Sequence, residues 1–117
     1  MITEDYVSFE IAKLLKENGF DVCCIAVYSL QGQFKNPASV FSLKNNEFIY
    51  APTLQMAIKW LREVHNIHIE IAYNMGYFPI CISTRTNDTI PYIAMGKPFA
   101  YEKACEVAIK YCLENLI

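Results

Sequence analysis

The chain has 117 residues, 54% of them hydrophobic and only 19% charged. That length suits one compact domain of about 100–150 residues and leaves no room for separate catalytic and cofactor lobes. Apolar usage above the roughly 45–50% norm excludes intrinsic disorder and implies more apolar surface than a small domain hides, while a net charge of −2 gives no basic footprint for phosphate backbones.

From Thr3 to Asn18 the apolar positions Val7, Ile11, Leu14 and Leu15 recur at helical spacing. Thr3 can cap this first helix, Glu4 and Asp5 favour its positive end, and Asn18-Gly19 stops it. Val22 to Leu30 is β-branched and aromatic on both parities, the pattern of a strand placed mid-sheet. Gln31-Gly32-Gln33 offers a turn, after which Ala38 to Leu43 and Glu47 to Tyr50 are expected to pair as a hairpin across Lys44-Asn45-Asn46.

Pro52-Thr53 opens a second helix whose Leu54, Ala57, Ile58, Leu61 and Val64 trace one stripe. Gln55, Lys59, Arg62 and Glu63 face water, with Lys59 and Glu63 paired at i,i+4. Next, Ile67, Ile69, Ile71 and Tyr73 alternate with His68, Glu70 and Ala72, the period of a half-buried strand. Turns at Asn74-Met75-Gly76 and Asn87-Asp88 lead into strands Tyr77 to Thr84 and Ile90 to Met95, completing a meander. Pro79 and Pro91 place those strands at edges or mark where they begin. The final helix, Tyr101 to Ile117, puts Tyr101, Ala104, Cys105, Ala108, Cys112 and Leu116 on one face and Lys103, Glu106, Lys110 and Glu114 on the other.

No linker, repeat or low-complexity tract interrupts the chain, so a single domain over residues 1–117 is expected. Strands grouped between helices, without strict alternation, indicate an α+β class. The expected architecture is an antiparallel sheet of about five to six strands, with three helices packed mainly on one face.

Three stretches carry a resemblance: Ile11 to Asp21 (IAKLLKENGFD), Ala51 to Val64 (APTLQMAIKWLREV) and Tyr101 to Ile117 (YEKACEVAIKYCLENLI). In this order they resemble a set of short, uncharacterised proteins of gut-anaerobe genomes and their phages or mobile elements. The blocks cover over a third of the chain, and the resemblance implies a phage-like accessory protein. It brings no activity, ligand or catalytic residue with it. Val22 to Tyr50 and Tyr73 to Phe99 match only loosely, which is where a partner-specific surface would vary.

The five cysteines, Cys23, Cys24, Cys81, Cys105 and Cys112, are odd in number and lie in a chain without the loop-heavy composition of a disulfide scaffold, so reduced thiols are expected. In a strand, Cys23 and Cys24 would point to opposite faces and fail to converge on one metal. Cys105 and Cys112 read as core. The longest apolar run, Val22 to Tyr28, falls far short of the roughly 18–20 residues that span a bilayer, and Met1-Ile2-Thr3-Glu4-Asp5 is acidic where a signal peptide is basic. A soluble cytoplasmic protein is expected, without membrane partners.

His65 and His68 form His-x-x-His and, with Cys81, make a conceivable metal set, but zinc needs four convergent ligands and both imidazoles have ordinary explanations. No metal or cofactor is therefore expected. A Cys81 nucleophile activated by His68 and oriented by Glu70 would need all three within hydrogen-bond reach. Eight Tyr and seven Phe include Tyr73, Tyr77, Phe78 and Tyr92 near one another, and an aromatic face of this kind stacks single-stranded bases. Only Arg85 and Lys97 are there to neutralise phosphate, so ordinary sheet packing explains the aromatics at less cost.

Trp60, flanked one turn away by Met56 and Val64, forms a second ridge beside the main stripe of helix two. Two readings stand: an interface anchor, or a wider buried face. The leading expectation is a non-enzymatic interaction module, self-associating or bound to another protein through Met56, Trp60 and Val64. On that reading a Trp60→Glu chain folds as a monomer. The alternative is a small ligand-binding protein or enzyme using His68, Glu70 and Cys81.

Overall fold

A computed structural model of the chain describes residues 2–37, 48–84, 89–90 and 99–117. They fall into two compact units, Met1–Thr53 and Leu54–Ile117. The α+β class holds: three helices accompany antiparallel strands. Six strands are described, and they form two sheets of three where one sheet of five to six was expected.

In the N-terminal unit, helix α1 spans Phe9–Glu17. Its N-cap is Ser8, whose hydroxyl accepts the Ile11 N–H at 3.3 Å, and not Thr3. The helix starts later than the apolar spacing suggests because Tyr6 and Val7 are engaged in another backbone pairing. Tyr6 bridges Thr53, and the Val7 N–H donates to the Pro52 carbonyl at 3.1 Å. Val7 is nevertheless fully buried with Ile11, Ala12 and Leu15, so the predicted apolar face is real although its first turn is extended chain.

Strand β1 (Val27–Ser29) is central, between β2 (Phe34–Lys35) and β3 (Phe48–Tyr50), both antiparallel to it. The expected mid-sheet position is correct, but the strand is shorter than Val22 to Leu30. Ladder partners begin only at Val27, and Ile25 is 75% exposed. The β1–β2 hairpin closes at the predicted turn, where Gly32 has φ +92° and its N–H donates to the Ser29 carbonyl at 2.9 Å. The Tyr28 hydroxyl donates to the Val7 carbonyl at 2.7 Å, pinning the segment before α1 to the sheet. The Ala38 to Leu43 strand and the Lys44-Asn45-Asn46 turn lie outside the described residues.

The C-terminal unit opens with α2 (Leu54–His65), followed by β4 (His68–Ile71), β5 (Ile80–Ser83), β6 (Thr89–Ile90) and α3 (Tyr101–Asn115). The sheet is the expected antiparallel meander, ordered β4-β5-β6. Pro79 immediately precedes β5, which is central, so it marks a strand start and not an edge. The β4–β5 register pairs Ile69 with Ile82 and Ile71 with Ile80, bringing four isoleucines onto one face. Helix α2 packs on α3 and β4, and α3 on β4 and β5.

Leu54, Ala57, Ile58 and Leu61 of α2 are buried as predicted, and Lys59 meets Glu63 at 3.8 Å. Val64 departs from the stripe at 59% exposure, because the helix ends at His65. Tyr73 also departs from the predicted inward series, since β4 ends at Ile71. On α3 the inner face is Ala104, Cys105, Ala108, Ile109, Cys112 and Leu113; Tyr101 is exposed and Leu116 half-buried. The Asn87-Asp88 turn, Pro91 and the strand beyond Ile90 lie outside the described residues. No described helix is long and apolar enough to cross a membrane.

Candidate functional site

The sequence-predicted residues separate into three places within the C-terminal unit. Trp60 belongs to the core at 7% exposure, its indole meeting the His65 ring edge-on with centroids 4.7 Å apart. Met56 and Val64 are exposed on α2. The second apolar ridge therefore splits, with its aromatic member turned inward against the last helical turn and its aliphatic members on the surface.

His65 is drawn into that packing, and its Nε2 is buried without a hydrogen-bond partner. His68 is exposed, and its Nε2 lies 3.0 Å from the Asn66 side-chain oxygen. Asn66, at φ +56°, turns the chain from α2 into β4. Glu70 stands directly opposite Cys81, and His68 opposite Ser83, so these four share the sheet face away from the isoleucines. His68 and Cys81 are diagonal neighbours, with Cα atoms roughly 7–8 Å apart in such a register. Among the described residues no group of three or more His, Cys, Asp or Glu side chains is placed to hold a metal ion.

The most coherent surface feature is one that sequence reasoning saw only in part. Tyr73 and Phe78 pack at 5.4 Å, and Phe78 meets Tyr101 of α3 at 6.0 Å, edge to face. The Tyr101 hydroxyl accepts the Gln55 side-chain N–H at 3.0 Å, which fixes its ring between α2 and α3. Beside Tyr73, Asn74 to Tyr77 form a tight turn in which Met75 (φ +50°) and Gly76 (φ +92°) both adopt left-handed backbone. Met75 is thereby projected into solvent at 91% exposure, and Phe99, before α3, is 78% exposed. No protein-family model matches this sequence, and no curated protein and no solved structure resembles it significantly.

The clustering of Tyr73, Tyr77 and Phe78 was visible in the sequence; the addition of Tyr101 was not, because it depends on where α3 crosses the sheet. Tyr77 is half-buried, and its hydroxyl accepts from the Asn74 side chain at 3.0 Å. Arg85, Lys97 and Tyr92 lie outside the described residues.

The five cysteines are free thiols. Cys105 and Cys112 are fully buried, as predicted for core, and burial pushes their thiols up from 9.0 to about 11 and about 12. The folded chain thus holds protons that the unfolded chain releases from about pH 9 upward. The stabilisation is complete below that pH and is lost as pH rises toward the folded-state values. The loss is roughly 1.4 kcal/mol per pH unit per thiol. The urea midpoint is expected to fall between about pH 8.5 and 10.5, and Cys112→Ala to flatten that slope. A midpoint indifferent to pH across this window would contradict the buried-thiol account.

Proposed function

We propose that this protein is a non-enzymatic interaction module that pairs with a second copy of itself through the surface formed by Tyr73, Met75, Phe78, Phe99 and Tyr101. The observation that carries the reading is the presence of an aromatic cluster, Tyr73, Phe78 and Tyr101, linked ring to ring from the β4–β5 connection to α3, with the exposed Met75 and Phe99 next to its members in sequence. Scattered apolar side chains are normal on a surface, whereas a connected group marks a contact site. The five side chains carry no charge, so the surface meets its own copy without like-charge repulsion. A chain with 54% hydrophobic and 19% charged residues supports the same reading. Trp60 contributes from within, as core support for α2.

Native mass spectrometry and sedimentation across a concentration series test this. The parent chain is expected to dimerise, and Tyr73→Glu combined with Met75→Glu to weaken the dimer by at least about tenfold, the effect of losing one strong interface contact. Both positions are exposed, so the variant should retain its circular dichroism. A parent that stays monomeric at every concentration, or a variant that dimerises as tightly as the parent, would sink the proposal.

A second reading rests on the shared outer face of Glu70, Cys81 and His68: a small ligand-binding or catalytic site built on that thiol. Its support is the direct Glu70–Cys81 register. It requires Cys81 to label with iodoacetamide in the folded protein, and protection until denaturation would remove it.

A further inference from the structure

The N-terminal unit contains a cleft of about 190 Å³ lined by Ala12, Lys16, Phe20, Asp21, Phe48 and Tyr50. Ala12 and Lys16 are one helical turn apart on α1, so the helix supplies a small apolar residue deep in the cleft and a cation at its rim. Ala12 and Phe20 are buried and form an apolar floor. Phe48 and Tyr50 of β3 meet edge to face at 5.1 Å and form one wall.

The rim holds one charge of each sign. The Lys16 ammonium lies 3.5 Å from the Phe48 carbonyl, at the outer limit of hydrogen bonding, and retains donors for another acceptor. Asp21 is exposed and supplies a carboxylate. A simple anion entering the cleft meets Lys16 but is opposed by Asp21; a simple cation meets the reverse. A small molecule that carries both charges satisfies both. The volume is below the ~300–1,000 Å³ of sites for drug-sized ligands and fits a small metabolite.

From these features we infer that the cleft binds a free α-amino acid with a small aliphatic side chain. The carboxylate is directed to Lys16, the ammonium to Asp21 and the side chain to Ala12 and Phe20. This site lies within the N-terminal unit and does not depend on the interaction surface proposed above.

The test is a titration of the ¹⁵N-labelled full chain with L-leucine, followed by amide chemical shifts. Millimolar binding is expected, with shifts at Ala12, Phe20, Asp21 and Tyr50. 4-Methylpentanoate lacks the ammonium and isoamylamine the carboxylate, and each is expected to bind about fivefold more weakly, the effect of one solvent-exposed ion pair. Lys16→Met and Asp21→Asn should each weaken L-leucine by a similar factor while leaving the remaining spectrum in place, which reports the fold directly. No shift at those four amides at tens of millimolar L-leucine would overturn the site. 4-Methylpentanoate binding as tightly as L-leucine would overturn the amino-acid assignment.

Discussion

Trp60→Glu is expected to unfold the Leu54–Ile117 unit, not to release a folded monomer. At 7% exposure the indole fills core space and borders the His65 ring. Removing a buried Trp side chain costs about 3–5 kcal/mol in lost transfer energy and cavity. A carboxylate left in its place adds several more, the cost of taking a charge out of water into the core. The sum reaches the roughly 5–15 kcal/mol that holds a typical domain together. Circular dichroism at 25 °C and amide hydrogen exchange in α2 and α3 measure the effect directly. Val64→Glu, on the next turn of the same helix but 59% exposed, is the control and should change stability by no more than about 0.5 kcal/mol. A Trp60→Glu chain that kept the parental melting curve would place the indole outside the core.

The two readings of Trp60 could not be separated in the sequence, for a definite physical reason. Helical spacing gives the direction of a side chain but not the width of the face that neighbours cover. Trp60 is off the Leu54–Ala57–Ile58–Leu61 stripe, and only the placement of the following chain decides whether its flank is covered. Here His65, closing α2, supplies that cover. Val64 was assigned inward by the same spacing, yet it is exposed where the helix ends.

Elements whose signals were local were legible. The α2 stripe, the Lys59–Glu63 pair, the Ile69/Ile71 alternation and the turns at Gly32 and Gly76 all appear where the residues place them. Features set by distant partners were not. Thr3 and Ser8 are both competent caps, and the choice falls to Ser8 because Val7 is pledged to the Pro52 carbonyl. Val22 to Ile25 have strand propensity but no ladder partner among the described residues. The division into two three-stranded sheets has no punctuation in the sequence, since α2 begins directly after Thr53. At the candidate surface, Tyr73 and Phe78 are close in sequence, whereas Tyr101 joins them through the return of the chain into α3. The amino-acid cleft was invisible for the same reason: α1 and β3 come together only through pairing of β3 with β1.

Gly32→Ala is expected to destabilise the N-terminal unit by roughly 2–3 kcal/mol, about twice the loss from Gly76→Ala in the C-terminal unit. Both glycines sit at φ +92°, so both substitutions carry the strain of a Cβ in left-handed backbone, about 1–2 kcal/mol. They differ in surroundings. A Cβ at Gly76 meets nothing within 4 Å, whereas one at Gly32 comes within 3.1 Å of the Phe9 ring. That ring has little room to yield, because it packs on Tyr28 at 5.5 Å and carries the Lys13 ammonium over its face at 5.3 Å. Relief must come from moving the β1–β2 turn or the first turn of α1, and either displaces the Tyr28 cluster. Amide exchange read separately in the two units measures each loss without assuming that the chain unfolds in one step. Adding Phe9→Leu should recover part of the Gly32→Ala loss, since a smaller side chain gives the new Cβ space. Equal losses at the two glycines, with no recovery on Phe9→Leu, would show that the ring moves aside freely and that backbone strain alone sets the effect.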